Sequence, residues 1–172
     1  MFRLAKENEL PRILEIYNQV IERRTVTADL EPATTSSRQD WFEHHLNHPK
    51  YPIWVYELEG EIVAWCSYSQ FYTRKAYDGT AEISFYLDKA VHGKGIGKQC
   101  VNFLIEQMPN HQLHTLLAFV FGNNEQSLGL LNKMGFEVWG KLPQVADMET
   151  HFEDLVMLGF KNETLINCLR KK

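Results

Sequence analysis

The sequence predicts an α/β domain built around a mixed sheet, and three observations carry that expectation. Segments with strand-like alternation and segments with a helical repeat take turns along the chain. One largely apolar run, Leu113 to Phe121, suits a central strand covered on both sides. A glycine-rich run, Gly93-Lys94-Gly95-Ile96-Gly97-Lys98, joins the strand-like Glu82 to Leu87 to a helix-like stretch beginning at Lys98. At 172 residues the chain is long enough for one domain with a full core and short for two.

Each element follows from its local pattern. Phe2 to Leu4 reads as a short strand. Leu10, Ile13, Leu14, Ile16, Tyr17, Val20 and Ile21 recur at helical spacing, with Pro11 in the first turn, where a missing N–H costs nothing. Arg23 to Arg38 has no period and reads as a loop, with Ser36 or Ser37 capping a second helix that carries Trp41, Phe42, His45 and Leu46. Ile53 to Leu58 and Ile62 to Phe71 flank Glu59-Gly60-Glu61 as a hairpin. Thr80 to Leu87 is a further strand. The helix Lys98 to Met108 shows an apolar stripe of Cys100, Val101, Leu104, Ile105 and Met108. After Leu113 to Phe121, Asn124 caps a helix over Glu125 to Met134 that ends at Gly135. Phe136 to Trp139 and Glu153 to Phe160 complete the sheet, and 161–172 form a tail with Leu165, Ile166 and Leu169 at helical spacing.

Composition excludes several function classes. The 22 acidic against 18 basic residues give a net charge of −4, so no basic field exists to hold nucleic acid or anionic lipid. No apolar stretch approaches the roughly 20 residues that span a bilayer, and the N-terminus lacks the apolar core of a signal peptide. A cytoplasmic protein acting on a small molecule is expected. Cys66, Cys100 and Cys168 are widely spaced and form no Cys-x-x-Cys pair, which fits reduced thiols.

The glycine run has the making of an anion site. A helix start leaves about four N–H groups without intrahelical partners, at the positive end of the helix dipole. Glycines at 93, 95 and 97 permit a positive-φ turn and remove the Cβ atoms that would hold a diphosphate away. Neither common nucleotide fingerprint fits. A Rossmann turn would need glycine where Lys98 stands, and a Walker A loop would need glycine at His92 and Ser or Thr at Gln99.

Taken together these residues resemble the GCN5-related N-acetyltransferase superfamily, within it the phosphinothricin and methionine sulfoximine acetyltransferase branch. The resemblance runs through Ile16-Tyr17-Asn18, Asp29-Leu30-Glu31-Pro32 and Arg38-Gln39-Asp40-Trp41-Phe42. It is strongest from Ala76 to Gly97 and resumes at Asn124-Glu125-Gln126-Ser127 and Lys133-Met134-Gly135-Phe136-Glu137, so it covers 1–160 and leaves out the tail. It implies the acyl-CoA N-acyltransferase fold, a mixed, mostly antiparallel sheet of about seven strands with helices on both faces. It also implies acetyl-coenzyme A as cosubstrate, no metal, and a homodimer. By the same resemblance Phe85, Tyr86 and Leu87 bond the pantetheine arm, Gly93, Lys94, Gly95, Ile96, Gly97 and Lys98 hold the pyrophosphate, and Asn124 adds a contact. His92 departs from the family's Gln or Arg; a neutral imidazole donates one hydrogen bond and no charge.

Acetyl transfer to an amine needs a base, oxyanion donors and an exit for the thiolate. Glu82 stands where this branch carries its catalytic or substrate-binding glutamate, and it can take the ammonium proton directly or through water. A backbone N–H near Tyr86 or Leu87 is the expected oxyanion donor, because the family splays two strands apart there. Leu131 occupies the position where some members carry a histidine, so that proton source is missing. Tyr72, Tyr77 and Tyr86 are the available phenols, each read first as a packing or substrate-lining residue. Tyr72, Thr73 and Arg74 align with the loop that touches the amino acid, and Arg38 is a second arginine suited to a carboxylate or phosphinate.

His44, His45 and His48 lack the third ligand and the glutamate of a zinc motif, and Cys100 falls on an apolar stripe, so both are read as packing. The expected activity is transfer of the acetyl group to the amino group of a small amino acid or analogue, by direct attack in a ternary complex. The alternatives are a noncatalytic acetyl-coenzyme A sensor and an acetyltransferase for a protein or peptide N-terminus.

Overall fold

In the computed structural model, which describes residues 1–169, the chain opens with strand β1 (Phe2–Leu4) and helix α1 (Leu10–Ile21). Pro11 sits in the first turn of α1, and its helical repeat buries Leu10, Ile13, Leu14, Ile16, Tyr17, Val20 and Ile21. Helix α2 (Thr35–Asn47) begins earlier than expected. Its cap is Thr34, whose Oγ1 accepts the Ser37 N–H at 3.2 Å while Ser37 Oγ accepts the Thr34 N–H at 3.0 Å. A cap must be extended and lie three residues before its partner; Thr34 is extended, and Ser37 supplies the reciprocal half of the box.

Strands β2 (Ile53–Leu58) and β3 (Glu61–Gln70) form the expected hairpin, with φ of +54° at Glu59 and +85° at Gly60. Positive φ at both turn residues matches the twist of the flanking strands. Strand β4 (Thr80–Leu87), helix α3 (Ile96–Gln107), strand β5 (Thr115–Phe121) and helix α4 (Glu125–Lys133) follow, then β6 (Glu137–Asp147), β7 (Phe152–Lys161) and α5 (Glu163–Leu169). Leu165 of α5 packs against the core beneath the sheet, as a docked tail would; Arg170, Lys171 and Lys172 lie outside the described residues.

The seven strands lie in the order β1-β2-β3-β4-β5-β7-β6. Every neighbouring pair is antiparallel except β4 with β5, which gives the mixed sheet expected. One face is covered by α3 and α4, whose Ile96, Cys100, Val101, Leu104 and Leu131 bury against Ala81, Ile83, Leu116 and Ala118. The other is covered by α1 and α2, where Ile13, Ile16 and Phe42 meet Ile53, Val55 and Trp65.

Two boundaries differ from the sequence expectation in ways that matter. Helix α3 starts at Ile96, whose buried side chain anchors the first turn, so Gly97 is helical. Strand β6 runs to Asp147 instead of stopping at Trp139. It is an edge strand with register shifts near Gly140 and between Leu142 and Ala146, and almost none of it is covered. Without a buried face it shows no alternation to read, and Pro143 marks an edge position. Among the described residues no helix is long and apolar enough to cross a membrane.

Candidate active site

The parallel pair β4 and β5 is joined over only three residues, Thr80, Ala81 and Glu82 against Thr115, Leu116 and Leu117. Beyond that point the strands part, although β4 continues to Leu87 and β5 to Phe121, each still paired with its outer neighbour. The inner edges therefore carry backbone N–H and C=O groups with no ladder partner, which must meet water or a ligand. A cavity of about 90 Å³ fills the fork, lined by Glu82, Ser84, Tyr86, Phe119, Asn124 and Leu131 among others.

A larger cavity of about 490 Å³ continues outward over the glycine run. Phe85, Tyr86, Leu87, His92, Gly93, Gly95, Ile96, Gly97, Lys98 and Asn124 all line it, so the sequence-derived cofactor set converges on one space with the exception of Lys94. Lys94 is exposed, and its N–H closes a turn onto Val91 O at 3.3 Å. Gly95 is the N-cap of α3, and the first helical bond there runs from Gln99 N–H to Gly95 O at 3.2 Å. The N–H groups of Ile96, Gly97 and Lys98 are thus left for a ligand. Helix α4 also starts here. Asn124 Oδ1 accepts the Ser127 N–H at 3.1 Å, which leaves the Asn124 amide to donate.

The three glycines act differently. Gly93 and Gly95 have φ of +75° and +78°, and a Cβ at either would meet nothing within 4 Å. Their absent side chains leave open room above the loop. A Cβ on Gly97 would meet Leu130 Cδ2 at 3.2 Å, so this glycine lets α3 approach α4. His92 Nε2 lies 3.2 Å from Leu87 O, tying the loop back to the end of β4.

Asp88 fixes the entry to the loop. Its Oδ1 accepts the Ala90 N–H at 2.9 Å, and its Oδ2 accepts from Arg12 at 2.7 Å and from Gln19 at 3.2 Å. Gln19 Oε1 in turn accepts the Lys89 N–H at 2.8 Å, so α1 holds the strand-to-loop corner. Burial pushes the Asp88 carboxyl up, but the Ala90 N–H, Arg12 and Gln19 outweigh it and hold the group below the ordinary aspartate value. A lowered folded-state pKa contributes stability that is present above the ordinary range and lost as pH falls through the lowered value. Asp88→Asn is accordingly expected to cost about 1–3 kcal/mol in urea unfolding at neutral pH, with the difference from wild type shrinking in acid. An unchanged urea midpoint at neutral pH would remove Asp88 from this role.

Glu82 is half-buried in the fork, and burial pushes its carboxyl above the ordinary glutamate value. Tyr86, four residues on and on the same face of β4, packs edge-on to Tyr17 at 4.8 Å and against Trp65 at 4.7 Å. Its phenol is also pushed up, chiefly by burial, and so stays neutral. Leu131 is fully buried and offers no proton. Tyr72, Thr73 and Arg74 are exposed on the β3–β4 connection, where Tyr72 rests on Tyr77 at 5.3 Å; none lines either cavity. Arg38 instead pairs with Asp29 on the α1–α2 side.

Several wall residues escaped the sequence reading. Val20, Arg23 and Val26 bring the end of α1 and its loop over the large cavity, and no local pattern announced them. Ser127, Leu130 and Lys133 on α4 were recoverable: they follow Asn124 at three-residue steps. His45 gives its ring to Tyr51 O and is held below the ordinary histidine value by burial, in keeping with packing. Among the described residues no three metal-ligating side chains come together.

Comparison with known proteins agrees with this geometry. Residues 12–136 match the model of the acetyltransferase (GNAT) family. The chain is 42% identical over 158 residues to the Bacillus subtilis protein named "Putative phosphinothricin acetyltransferase YwnH", covering 91% of this chain and 96% of that one. It is 33% identical over 151 residues to the L-methionine sulfoximine/L-methionine sulfone acetyltransferase of Pseudomonas aeruginosa, covering 87% of each. Among solved structures, yncA from Salmonella typhimurium with its cofactor acetyl-CoA superposes with a TM-score of 0.86 at 25% identity, covering 94% of this chain and 92% of that one. A glycine loop at a helix start, a strand fork and a glutamate at its base are thus found in a chain that belongs to the acetyltransferase (GNAT) family.

Proposed function

We propose that this enzyme transfers the acetyl group of acetyl-coenzyme A to the amino group of a small amino acid or amino-acid analogue, by direct attack in a ternary complex. The observation that carries the reading is the fork between β4 and β5: it joins the cavity over the glycine loop to the cavity at Glu82 through shared walls at Phe85, Tyr86 and Asn124. The names of the Bacillus and Pseudomonas relatives support the acceptor class.

The residues present suit the cosubstrate. Unpaired N–H groups of Ile96, Gly97 and Lys98 and the open room above Gly93 and Gly95 fit a diphosphate, and the unladdered edge of Phe85 to Leu87 fits a pantetheine amide. When bound, the cosubstrate supplies an activated thioester. Glu82 takes the proton of the acceptor's ammonium, a transfer that its raised pKa brings closer to balance. A backbone N–H of Tyr86 or Leu87 stabilises the oxyanion. With Leu131 in the helix, the thiolate leaves without an acid from that position. Tyr72, Thr73 and Arg74, in the loop that leads into β4, are proposed for the acceptor's carboxylate on the family resemblance alone, since none lines the fork cavity.

The test is thiol release from acetyl-coenzyme A with amino acids, their analogues and peptides as acceptors. Release dependent on a small amino acid is expected. Release only with peptides would move the acceptor class, and binding without release would make the chain a sensor. We further place the enzyme in the cytoplasm, on its free and buried Cys66 and Cys100. A homodimer is proposed on the resemblance and on the exposed Val138, Trp139, Leu142 and Val145 of β6 with Phe152. Sedimentation as a monomer at micromolar concentration would discard it.

A further inference from the structure

On the α1–α2 side of the sheet a third cavity of about 140 Å³ is walled by Tyr17, Trp41, Trp65, Tyr86, Ser84 and Arg38. Four of these are aromatic and close-packed: Trp41 meets Trp65 edge-on at 5.9 Å, Trp65 meets Tyr86 at 4.7 Å, and Tyr86 meets Tyr17 at 4.8 Å. Two polar groups of the box are already spent. The Trp65 indole N–H donates to Ile13 O at 3.0 Å, and the Tyr17 hydroxyl, paired with Thr27, donates to Asp29 Oδ2 at 2.7 Å.

The Trp41 indole N–H and the Ser84 and Tyr86 hydroxyls are without such partners among the described residues, and Arg38 adds the charged group. Its guanidinium lies 5.8 Å from the centre of the Tyr17 ring, held there by Asp29. Among the described residues only Asp29 accepts from its side chain, through Nη2, so the Nε–H and Nη1–H donors of the fork remain. The box opens beside the reaction centre. Glu82, Ser84 and Tyr86 alternate onto one face of β4, and Ser84 and Tyr86 line both this box and the cavity that holds Glu82. Tyr86 also lines the cavity over the glycine loop, which makes it the wall common to all three spaces.

We infer that the box receives the acceptor's side chain: an apolar stem against the aromatic walls, tipped by an oxygen that accepts from Arg38. At roughly 30 Å³ for each water-sized group, the space of about 140 Å³ admits about five such groups. A sulfone, carboxylate or phosphinate tip satisfies the free donors of Arg38, whereas an aliphatic tip leaves them unpaired and an ammonium tip meets a like charge. An acceptor amine at Glu82 and its side-chain tip at Arg38 would then lie on either side of the shared wall of Ser84 and Tyr86. This rests on the acetyl-transfer reading and adds to it the residue that sets specificity.

The experiment compares kcat/KM for L-methionine sulfone, L-norleucine and L-lysine, measured by thiol release. Wild type is expected to favour the sulfone over norleucine by about tenfold, with lysine the poorest, as a site built to hydrogen-bond its substrate discriminates. In Arg38→Met the sulfone-to-norleucine ratio falls to about one while the KM for acetyl-coenzyme A holds, since Arg38 does not line the glycine-loop cavity. A ratio that survives the substitution, or lysine outrunning the sulfone in wild type, overturns the inference. If Arg38→Met does not fold, Arg38→Lys keeps the charge and loses the planar fork; an unchanged ratio there also overturns it. Should wild type release thiol with none of the three, the wider acceptor panel decides the acetyl-transfer reading, and Trp41 and Trp65 fluorescence judges the box by itself. A saturable response to the sulfone in wild type supports the box, and no response overturns it.

Discussion

Glu82→Gln is expected to lower kcat by about 10²–10³-fold while leaving the affinity for acetyl-coenzyme A as it was. The amide has the shape of the carboxylate and can still accept a hydrogen bond, but it cannot take the ammonium proton. Glu82 lines the fork cavity and not the cavity over the glycine loop, which separates the base from the diphosphate grip. The pH dependence carries a second signature. Burial raises the Glu82 pKa, so below that raised value the base is protonated and idle. Wild-type activity should therefore rise with pH through a step lying above the ordinary glutamate range, and the Gln variant should lack this step. Full activity of the variant at neutral pH would remove Glu82 from the mechanism.

The same shift has a sign for stability. A group whose folded pKa is raised contributes stability below its unfolded pKa and loses it as pH rises through the folded value. Above that raised value the ionised Glu82 carboxylate is thus held in the fork against its solvation, and the melting temperature of Glu82→Gln relative to wild type should climb as pH rises through the same step that switches activity on. Loss of activity together with gain of stability is what a buried catalytic base predicts; a structural carboxylate would lose both.

The parts of this fold that were legible in the sequence are those that bury one face. The stripe of α1, the hairpin at Glu59-Gly60 and the Asn124 cap with its Gly135 stop all left periodic or turn-forming residues that local chemistry explains. The site was legible for the same reason. A glycine run between strand and helix announces an anion site through its own backbone, whereas Phe85 to Leu87, His92 and Asn124 came from the family resemblance; all of them line one cavity with the run, Lys94 excepted. Strand β6 was cut short because an uncovered edge needs no alternation. Arg23 and Val26 went unseen because they reach the cavity through a loop whose path is set by tertiary contacts, among them the Asp29–Arg38 pair and the Tyr17 hydroxyl. The box around Arg38 combines positions from α1, α2, β3 and β4, and only folding brings them together.

Gly95→Val tests the grip on the cosubstrate, and calorimetric titration with acetyl-coenzyme A is expected to show affinity reduced by a hundredfold or more, about 3 kcal/mol. Two effects act together. The N-cap of α3 requires φ of +78°, a left-handed conformation that costs a β-branched residue at least about 1–2 kcal/mol. Relief of that strain would turn the N–H groups of Ile96, Gly97 and Lys98 away from a common point. The second effect is steric: nothing in the protein lies within 4 Å of a Cβ at 95, so the new methyl groups stand in the room left for the diphosphate. Gly97→Ala provides the contrast. Its Cβ meets Leu130 Cδ2 at 3.2 Å, so its effect falls on the packing of α3 against α4 and should appear as a change in melting temperature rather than in affinity. If the two variants instead lose affinity and stability in the same proportion, the loop glycines act only through the fold. Separation of the two, with Gly95→Val folded and unable to bind, would assign the open space above Gly93 and Gly95 to the phosphates themselves.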